Sequence, residues 1–222
     1  MSRLSGQHKA RLIEYFCLGV PAYRLRFLMS VSQKTVQRFY KLLRICLYQN
    51  SLQLLSPHSG TFEMDETMFG GYRPGHRGWG AAGKTIVFGI YKRNGQVVTF
   101  PVSSRSRAQI LPLITKHTPA GSLYYTDDWH AYATLHLRGV HVVVDKRKGV
   151  PKGRSHINGI EGFWSYAKHW LYTYRGVQKD FFPLYLKEIE WRFNHRHENL
   201  IPLLKNLTKK NIPDQELQKL WV

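Results

Sequence analysis

The stretch Thr61-Phe62-Glu63-Met64-Asp65 has the period of two that is typical of a β-strand. Phe62 and Met64 fall on one face of this predicted strand, and Glu63 and Asp65 fall on the other. The strand therefore separates an apolar face from an acidic one, and Asp65 ends it.

The segments that follow predict a mixed α/β fold. Residues 84–92 and 96–102 are predicted strands, joined by a hairpin turn at Asn94-Gly95. The further predicted elements are a helix over 106–117, a strand over 122–127, a short helix over 131–137, a strand over 141–145 and helices over 158–172 and 182–197. This is the ribonuclease H-like order, in which three antiparallel strands are extended by two crossover strands and helices flank the mixed sheet.

Residues 1–50 predict a small all-α segment before this sheet. Apolar residues at helical spacing predict helices over 7–18, 22–29 and 33–48, and Ser32 is a suitable N-cap for the third. Two short helices, a tight turn and a third helix resemble a DNA-binding helix-turn-helix. The side chains then expected to contact DNA are Gln33, Lys34, Thr35, Gln37 and Arg38. The alternative is a three-helix segment that only packs on the main domain.

The domain organisation follows from these elements. Residues 1–50 form the helix-turn-helix-like segment, and the turn-rich residues 51–60 form a linker. Residues 61–200 form the ribonuclease H-like catalytic domain, and residues 201–222 form a C-terminal tail.

The composition favours a polyanionic partner. The 222 residues include 33 Lys and Arg against 14 Asp and Glu, a formal net charge of +19 at pH 7. Such an excess favours nucleic acid, because each neutralised phosphate releases counterions. A membrane span is not expected, since no apolar run approaches ~18 residues. The N-terminal sequence lacks the apolar segment of a secretory signal, and the two cysteines fit a reducing compartment, so we expect a cytoplasmic protein.

Three of the few acids stand where a catalytic site is expected. Asp65 ends the first predicted strand, Asp127 ends the fourth, and Glu161 begins the helix after the fifth. Lys168 lies two helical turns after Glu161, on the same flank of that helix. Phosphodiester cleavage needs an activated nucleophile and a stabilised leaving oxygen, which two Mg²⁺ ions held by carboxylates supply. The sequence therefore predicts Asp65, Asp127 and Glu161 as metal ligands and Lys168 as a phosphate contact.

Structural roles are the alternative for these acids. Asn158-x-x-Glu161 has the spacing of a capping box, in which the Glu side chain reaches back to the start of its own helix. One of Asp127 and Asp128 is expected to cap the next helix, and Asp128 suits that role better. The occurrence of three acids on the expected elements, with Lys168, favours catalysis.

Five motifs strengthen this interpretation. They are Met64-Asp65-Glu66-Thr67 with Gly70-Gly71, Gly75-His76-Arg77-Gly78 with Lys84, Tyr125-Thr126-Asp127, His156-Ile157-Asn158-Gly159-Ile160-Glu161-Gly162-Phe163-Trp164-Ser165 with Lys168, and Trp191-Arg192-Phe193-Asn194-x-Arg196. Together they resemble the DDE transposases of bacterial insertion sequences, relatives of the retroviral integrases, and among these the small ISXO-type group.

The resemblance implies a transposase that binds the terminal inverted repeats of its element, cleaves DNA and joins the freed 3′-OH to target DNA. It implies a homodimer or higher oligomer on double-stranded DNA and two Mg²⁺ ions, for which Mn²⁺ substitutes, with no small-molecule cofactor. It also implies association with the bacterial nucleoid. It also leaves Asn158 as an alternative third catalytic residue. The basic residues expected along the DNA are Arg77, Lys84, Lys146, Arg147, Lys148, Lys152 and Arg154. The alternative functions are a structure-specific nuclease of the same fold and a catalytically inactive DNA-binding remnant.

Overall fold

The computed structural model describes residues 4–51, 60–70, 83–145, 153, 155–174 and 176–210. Its contacts divide the chain into two units, which are described one at a time. The first unit comprises residues 1–54 and 170–222, and the second comprises residues 55–169.

The elements follow the predicted order. The helices are α1 (Gly6–Cys17), α2 (Gln33–Ser51), α3 (Arg107–His117), α4 (Asn158–Tyr172), α5 (Phe182–Asn194) and α6 (Leu200–Lys210). The strands are β1 (Thr61–Phe69), β2 (Thr85–Lys92), β3 (Val97–Val102), β4 (Leu123–Thr126) and β5 (Val140–Val143). Short 3-10 helices cover Ala22–Phe27, His130–Tyr132, Leu135–Leu137 and Lys179–Phe181.

The second unit is built on a five-stranded mixed sheet with the strand order β3-β2-β1-β4-β5. The β1–β2 and β2–β3 pairs are antiparallel, whereas β4 runs parallel to β1 and β5 parallel to β4. Asn94, with a φ of 57°, and Gly95 form the turn between β2 and β3. The ribonuclease H-like sheet predicted from the sequence is confirmed.

Strand β1 is longer than predicted. It continues past Asp65 to Phe69, because residues 66–69 pair with residues 85–88 of β2. Its pairing with β4 covers only residues 61–63. Asp65 therefore lies in the middle of β1 and not at its end, just beyond the part of β1 that β4 covers.

Helices cover both faces of the sheet. On one face an apolar core includes Met64 and Phe88 from the sheet and Ile110 and Ile114 from α3. On the other face α4 packs closely, because Gly89 of β2 has no side chain to hold it away. A Cβ atom at Gly89 would lie 2.6 Å from the Trp164 ring. The short helix predicted over 131–137 is instead a pair of 3-10 turns.

The first unit is a helical assembly of α1, α2, α5 and α6. Its apolar core takes Phe16 from α1, Tyr40 from α2, Trp191 from α5 and Leu204 from α6. The Ser32 hydroxyl accepts a hydrogen bond from the Thr35 N–H at 3.2 Å, as expected of an N-cap. The second predicted helix of the helix-turn-helix is the 3-10 helix Ala22–Phe27 and not an α-helix.

The packing of α5 and α6 differs from the domain bounds expected from the sequence. Those bounds place α5 in a catalytic domain over 61–200 and α6 in a tail over 201–222, yet both helices contribute to the core formed by α1 and α2. The buried Glu188 of α5 also accepts hydrogen bonds from Arg44 at 2.6 Å and from Arg192 at 2.9 Å. The functional division into a DNA-binding segment and a catalytic domain stays a prediction.

Some expected features lie outside the described residues. They include most of the linker over 51–60 and the last part of the tail, residues 211–222. Within the described part of the chain, no helix combines the length and the apolar character that a membrane span requires.

Candidate metal centre and the helix beside it

Three carboxylates converge where β1 passes the end of β4. Asp65 and Glu66 lie on β1, and Asp127 follows the last residue of β4. Because Glu63 is paired with Tyr125 in a parallel register, the next residues along each strand bring Asp127 beside Asp65. Each residue offers an oxygen atom, and these oxygens all lie within 4.8 Å of one another.

The donor set suits a hard divalent cation. Mg²⁺ and Mn²⁺ prefer carboxylate oxygens, and three carboxylates this close together repel one another unless a cation or a proton offsets their charge. Among the described residues, this is the one group of three possible metal ligands whose ligand atoms lie this close to one another. Two of its members, Asp65 and Asp127, are predicted metal ligands, and the third, Glu66, was not assigned a role from the sequence.

Glu66 is buried and held by two partners. The Tyr132 hydroxyl donates to one carboxylate oxygen at 2.8 Å, and an Arg105 Nη2 atom lies 3.3 Å from the other. Burial raises the pKa of Glu66 to about 7, and Tyr132 and Arg105 act against that rise. Without a bound cation, Glu66 therefore carries a proton over part of the neutral pH range.

Asp127 is oriented by the chain that follows it. Its Oδ1 atom accepts a hydrogen bond from the backbone N–H of Trp129 at 3.1 Å. This hydrogen bond closes the turn after β4. The 3-10 helix that follows, His130–Tyr132, has Trp129 at its N-cap and no side-chain cap, so the expected cap by Asp127 or Asp128 is not formed. The Trp129 ring is fixed in turn, because its indole N–H donates to the Arg105 carbonyl at 3.1 Å and the Arg105 guanidinium stacks over it at 4.0 Å.

Glu63, two residues before Asp65, anchors the first turn of α4 to the sheet. Its Oε2 atom accepts hydrogen bonds from the backbone N–H groups of Gly159 at 2.7 Å and Ile160 at 3.0 Å. Its Oε1 atom accepts one from Arg93 Nε at 2.6 Å. The N–H groups of Gly159 and Ile160 are in the first turn of the helix, where backbone N–H groups lack an intrahelical partner. A carboxylate at this end also interacts favourably with the helix dipole.

Gly159 allows this close approach. A Cβ atom at that position would lie 2.5 Å from Cδ1 of Tyr91 and 2.9 Å from Oε2 of Glu63. The start of α4 therefore rests directly on β1 and β2. Glu63 therefore provides a carboxylate cap for α4. The capping-box alternative assigns that role to Glu161.

Glu161 lies in the same first turn of α4. Its side chain is half-buried, and it is not a member of the carboxylate cluster, whose oxygens lie within 4.8 Å. Lys168 and Asn158 are exposed. The structure therefore brings together Asp65 and Asp127, and it places Glu161 on the helix that packs over the same face of the sheet as Asp65.

The side chains expected to contact DNA fall into two groups. In the first turns of α2, Gln33, Lys34, Gln37 and Arg38 are exposed and Thr35 is half-buried, and Lys84 is half-buried before β2. The remaining ones lie outside the described residues: Arg77, Lys146, Lys152, Arg147, Lys148 and Arg154.

The fold and the site define a class, an α/β protein with a ribonuclease H-like sheet and a carboxylate cluster suited to a divalent metal. Residues 57–194, more than half of the 222, match the model of the ISXO2-like transposase domain. The chain therefore belongs to the ISXO2-like transposase family.

Curated relatives agree with this membership. An uncharacterized transposase-like protein of Haemophilus influenzae is 34% identical over 119 residues, which is 53% of this chain and 97% of that protein. An uncharacterized protein in the transposable element ISH50 of Halobacterium salinarum is 27% identical over 198 residues, 80% of this chain and 66% of that protein. Among solved structures, the Mos1 strand transfer complex matches with a TM-score of 0.27 and 12% identity, over 95% of this chain and 80% of that one.

The sequence alone did not predict the role of Glu63 at the start of α4 or that of Glu66 in the carboxylate cluster. The signal for Glu66 is the apolar pair Met68 and Phe69, which extends the strand beyond Asp65 and brings Glu66 into it. The signal for Glu63 is weaker, because its partners Gly159 and Arg93 are distant in the sequence and only the fold brings them together.

Proposed function

We propose that this protein is the transposase of an insertion sequence, which binds the element's terminal inverted repeats and catalyses metal-dependent DNA cleavage and strand transfer. One observation carries the proposal. In a chain of the ISXO2-like transposase family, Asp65, Glu66 and Asp127 bring carboxylate oxygens within 4.8 Å of one another at the meeting point of β1 and β4.

Asp65 and Asp127 would hold divalent cations, with Mg²⁺ as the physiological ion and Mn²⁺ as a substitute. Two such ions, when bound, activate an oxygen nucleophile and stabilise the leaving oxygen of a phosphodiester. Glu161 would complete the ligand set from α4. Lys168, two turns along the same helix, would hold a phosphate of the DNA.

The DNA partner is supported by charge. The net charge of +19 suits a phosphate backbone, and the exposed Lys34 and Arg38 of α2 lie beside Gln33 and Gln37, which can hydrogen-bond to base edges. Since a transposition reaction acts on two paired element ends, the protein would act as a dimer or higher oligomer on DNA, in the cytoplasm of a bacterium.

Substitution of Asp65 tests this function. The purified protein is incubated with an element-end duplex and a target plasmid in Mg²⁺, and cleaved and joined strands are measured separately. Asp65→Asn should abolish both products and leave DNA binding intact or stronger, because a negative charge near phosphate is removed. Asp128→Asn, an exposed neighbour of the site, is the matched control and should keep both activities.

The two products separate the alternatives. Cleavage without joining would indicate a nuclease and contradict the transposase proposal. Binding of element ends with neither product in Mg²⁺ or Mn²⁺ would indicate an inactive remnant. Equal loss of DNA binding and catalysis in Asp65→Asn would give Asp65 a structural role.

A further inference from the structure

A cavity of about 810 Å³ lies in the first unit, between the first half of α2 and residues 172–185. Its volume is within the range of small-molecule sites, roughly 300–1,000 Å³. Gln37, one of the side chains expected to contact DNA, forms part of its wall. The cavity is therefore next to the surface of α2 that is predicted to face DNA.

The wall of this cavity is rich in aromatic rings. They are Tyr23, Tyr40, Tyr172, Tyr174, Phe181 and Tyr185. Two of them are well exposed, with Tyr23 46% and Tyr172 67% accessible to solvent. Exposed rings of this kind are platforms on which nucleobases stack, and stacking of this kind tolerates any base because every base has a π-face.

The cavity is also positively charged. Arg24, Lys41 and Arg44 line it, and no acidic residue does so among the described lining residues. Arg44 is neutralised by Glu188 at 2.6 Å. Within the described part of the chain, Arg24 and Lys41 form no ion pair, and the Lys41 ammonium lies 4.7 Å over the Phe181 ring. Burial lowers the pKa of Lys41, which is the expected cost of an ammonium group without an acid beside it.

Stacking rings and unpaired cations together fit a ligand that is both planar and anionic. A nucleotide has this chemistry, whereas a base inside a duplex is covered on both faces and cannot enter a cavity. We propose that this cavity binds an unpaired nucleotide of a DNA strand, with its base against Tyr23 and Tyr172 and its phosphate beside Arg24 and Lys41. The inference rests on the proposed function in one respect, that the partner is DNA.

Binding of full-length protein to two duplexes tests the proposal. One duplex carries a single unpaired 2-aminopurine, and the other has the same base fully paired. Both are titrated in EDTA, so that the result does not depend on cleavage. We expect the wild type to bind the duplex with the unpaired base about ten-fold more tightly and to quench its fluorescence, since stacking contributes a factor of about 5 to 150 per base.

Two variants remove the proposed contacts and two serve as matched controls. Tyr172→Leu and Lys41→Gln should reduce the ten-fold preference to about two-fold or less. Phe27→Leu and Arg26→Gln remove an exposed ring and a charge from the end of the 3-10 helix Ala22–Phe27, at positions that do not line the cavity. They should keep the preference, although Arg26→Gln weakens binding to both duplexes equally. Tyr172, Phe27 and Arg26 are exposed and Lys41 is half-buried, so the far-UV circular dichroism of all four variants is compared with that of the wild type to establish that each is folded.

Three outcomes would overturn the proposal. The first is equal affinity of the wild type for the paired and unpaired duplexes, which leaves the proposed transposase function standing. The second is an equal loss of preference in Tyr172→Leu and Phe27→Leu. The third is quenching of free 2-aminopurine deoxynucleoside monophosphate at the concentrations that suffice for the DNA, which would make a free nucleotide the ligand. A wild type that binds neither duplex would refute the proposed function as well.

Discussion

Replacement of Gly159 by alanine tests whether the contact between α4 and the sheet is as close as the structure has it. The new Cβ atom would lie 2.5 Å from Cδ1 of Tyr91, and closer still to Cε1, where carbon atoms need about 3.5–4.0 Å. Because Tyr91 is buried, the start of α4 must move by about 1 Å. Alanine gains about 1 kcal/mol of helix propensity. Overpacking costs about 1–3 kcal/mol, and disturbing the hydrogen bonds to Glu63 costs about 1–3 kcal/mol more.

We therefore expect Gly159→Ala to lower the free energy of unfolding by about 3 kcal/mol. Glu161, the proposed third metal ligand, follows two residues later, and a displacement of 1 Å at a group with that role would reduce the rate by about 100-fold. Gly162→Ala is the control on the same helix, since a Cβ there meets nothing within 4 Å. It should gain up to about 1 kcal/mol and keep its activity. Urea denaturation and the rate of strand cleavage measure both effects, and a Gly159→Ala protein as stable and active as Gly162→Ala would refute the reasoning.

Three further predictions concern acids and DNA contacts. Glu161→Gln should abolish cleavage in Mg²⁺ and recover part of it in Mn²⁺, whereas Asn158→Ala should stay active; the opposite pattern would make Asn158 the third catalytic residue. Gln37→Ala with Arg38→Ala should weaken binding of element ends by about 1–3 kcal/mol per base contact while non-specific binding changes little, as a competition assay would measure. In EDTA, the free energy of unfolding should fall by about 3 kcal/mol as the pH rises from about 4.5 to about 7. Over this range Glu66 keeps its proton in the folded protein, whereas the same residue has lost it in the unfolded chain. Urea denaturation across that range should show no such fall for Glu66→Gln. The same fall in the wild type and in Glu66→Gln would show that Glu66 is not the group responsible.

Local patterns predicted the sheet and the long helix well, because each depends on residues close in the sequence. The alternation over residues 61–65 predicted β1, and Asn94-Gly95 predicted the turn between β2 and β3. The helix over 158–172 has the predicted bounds. In each case the hydrophobic period and the turn residues agree with the final fold, so short segments are sufficient evidence.

The partners of a helix are harder to predict. The apolar side of α5 indicates that the helix is buried, but it does not indicate which core Trp191 enters. The structure places Trp191 in a core with α1, α2 and α6. The same limit applies to Glu63, since only the folded chain brings Gly159, 96 residues later, to its carboxylate.

Strand β1 gives each of its three acids a different environment. The pleat places Glu63 and Asp65 on the face covered by α4, where Glu63 caps the helix and Gly89, opposite Asp65, admits Trp164. Glu66 points to the other face, beside Tyr132. The Glu63 carboxylate already accepts hydrogen bonds from two backbone N–H groups and from Arg93. It is therefore not available as a metal ligand, although it lies only two residues from Asp65. A cation bound by Asp65 and Asp127 would thus meet Glu66 from one face of the strand, and the fixed start of α4 would present Glu161 from the other.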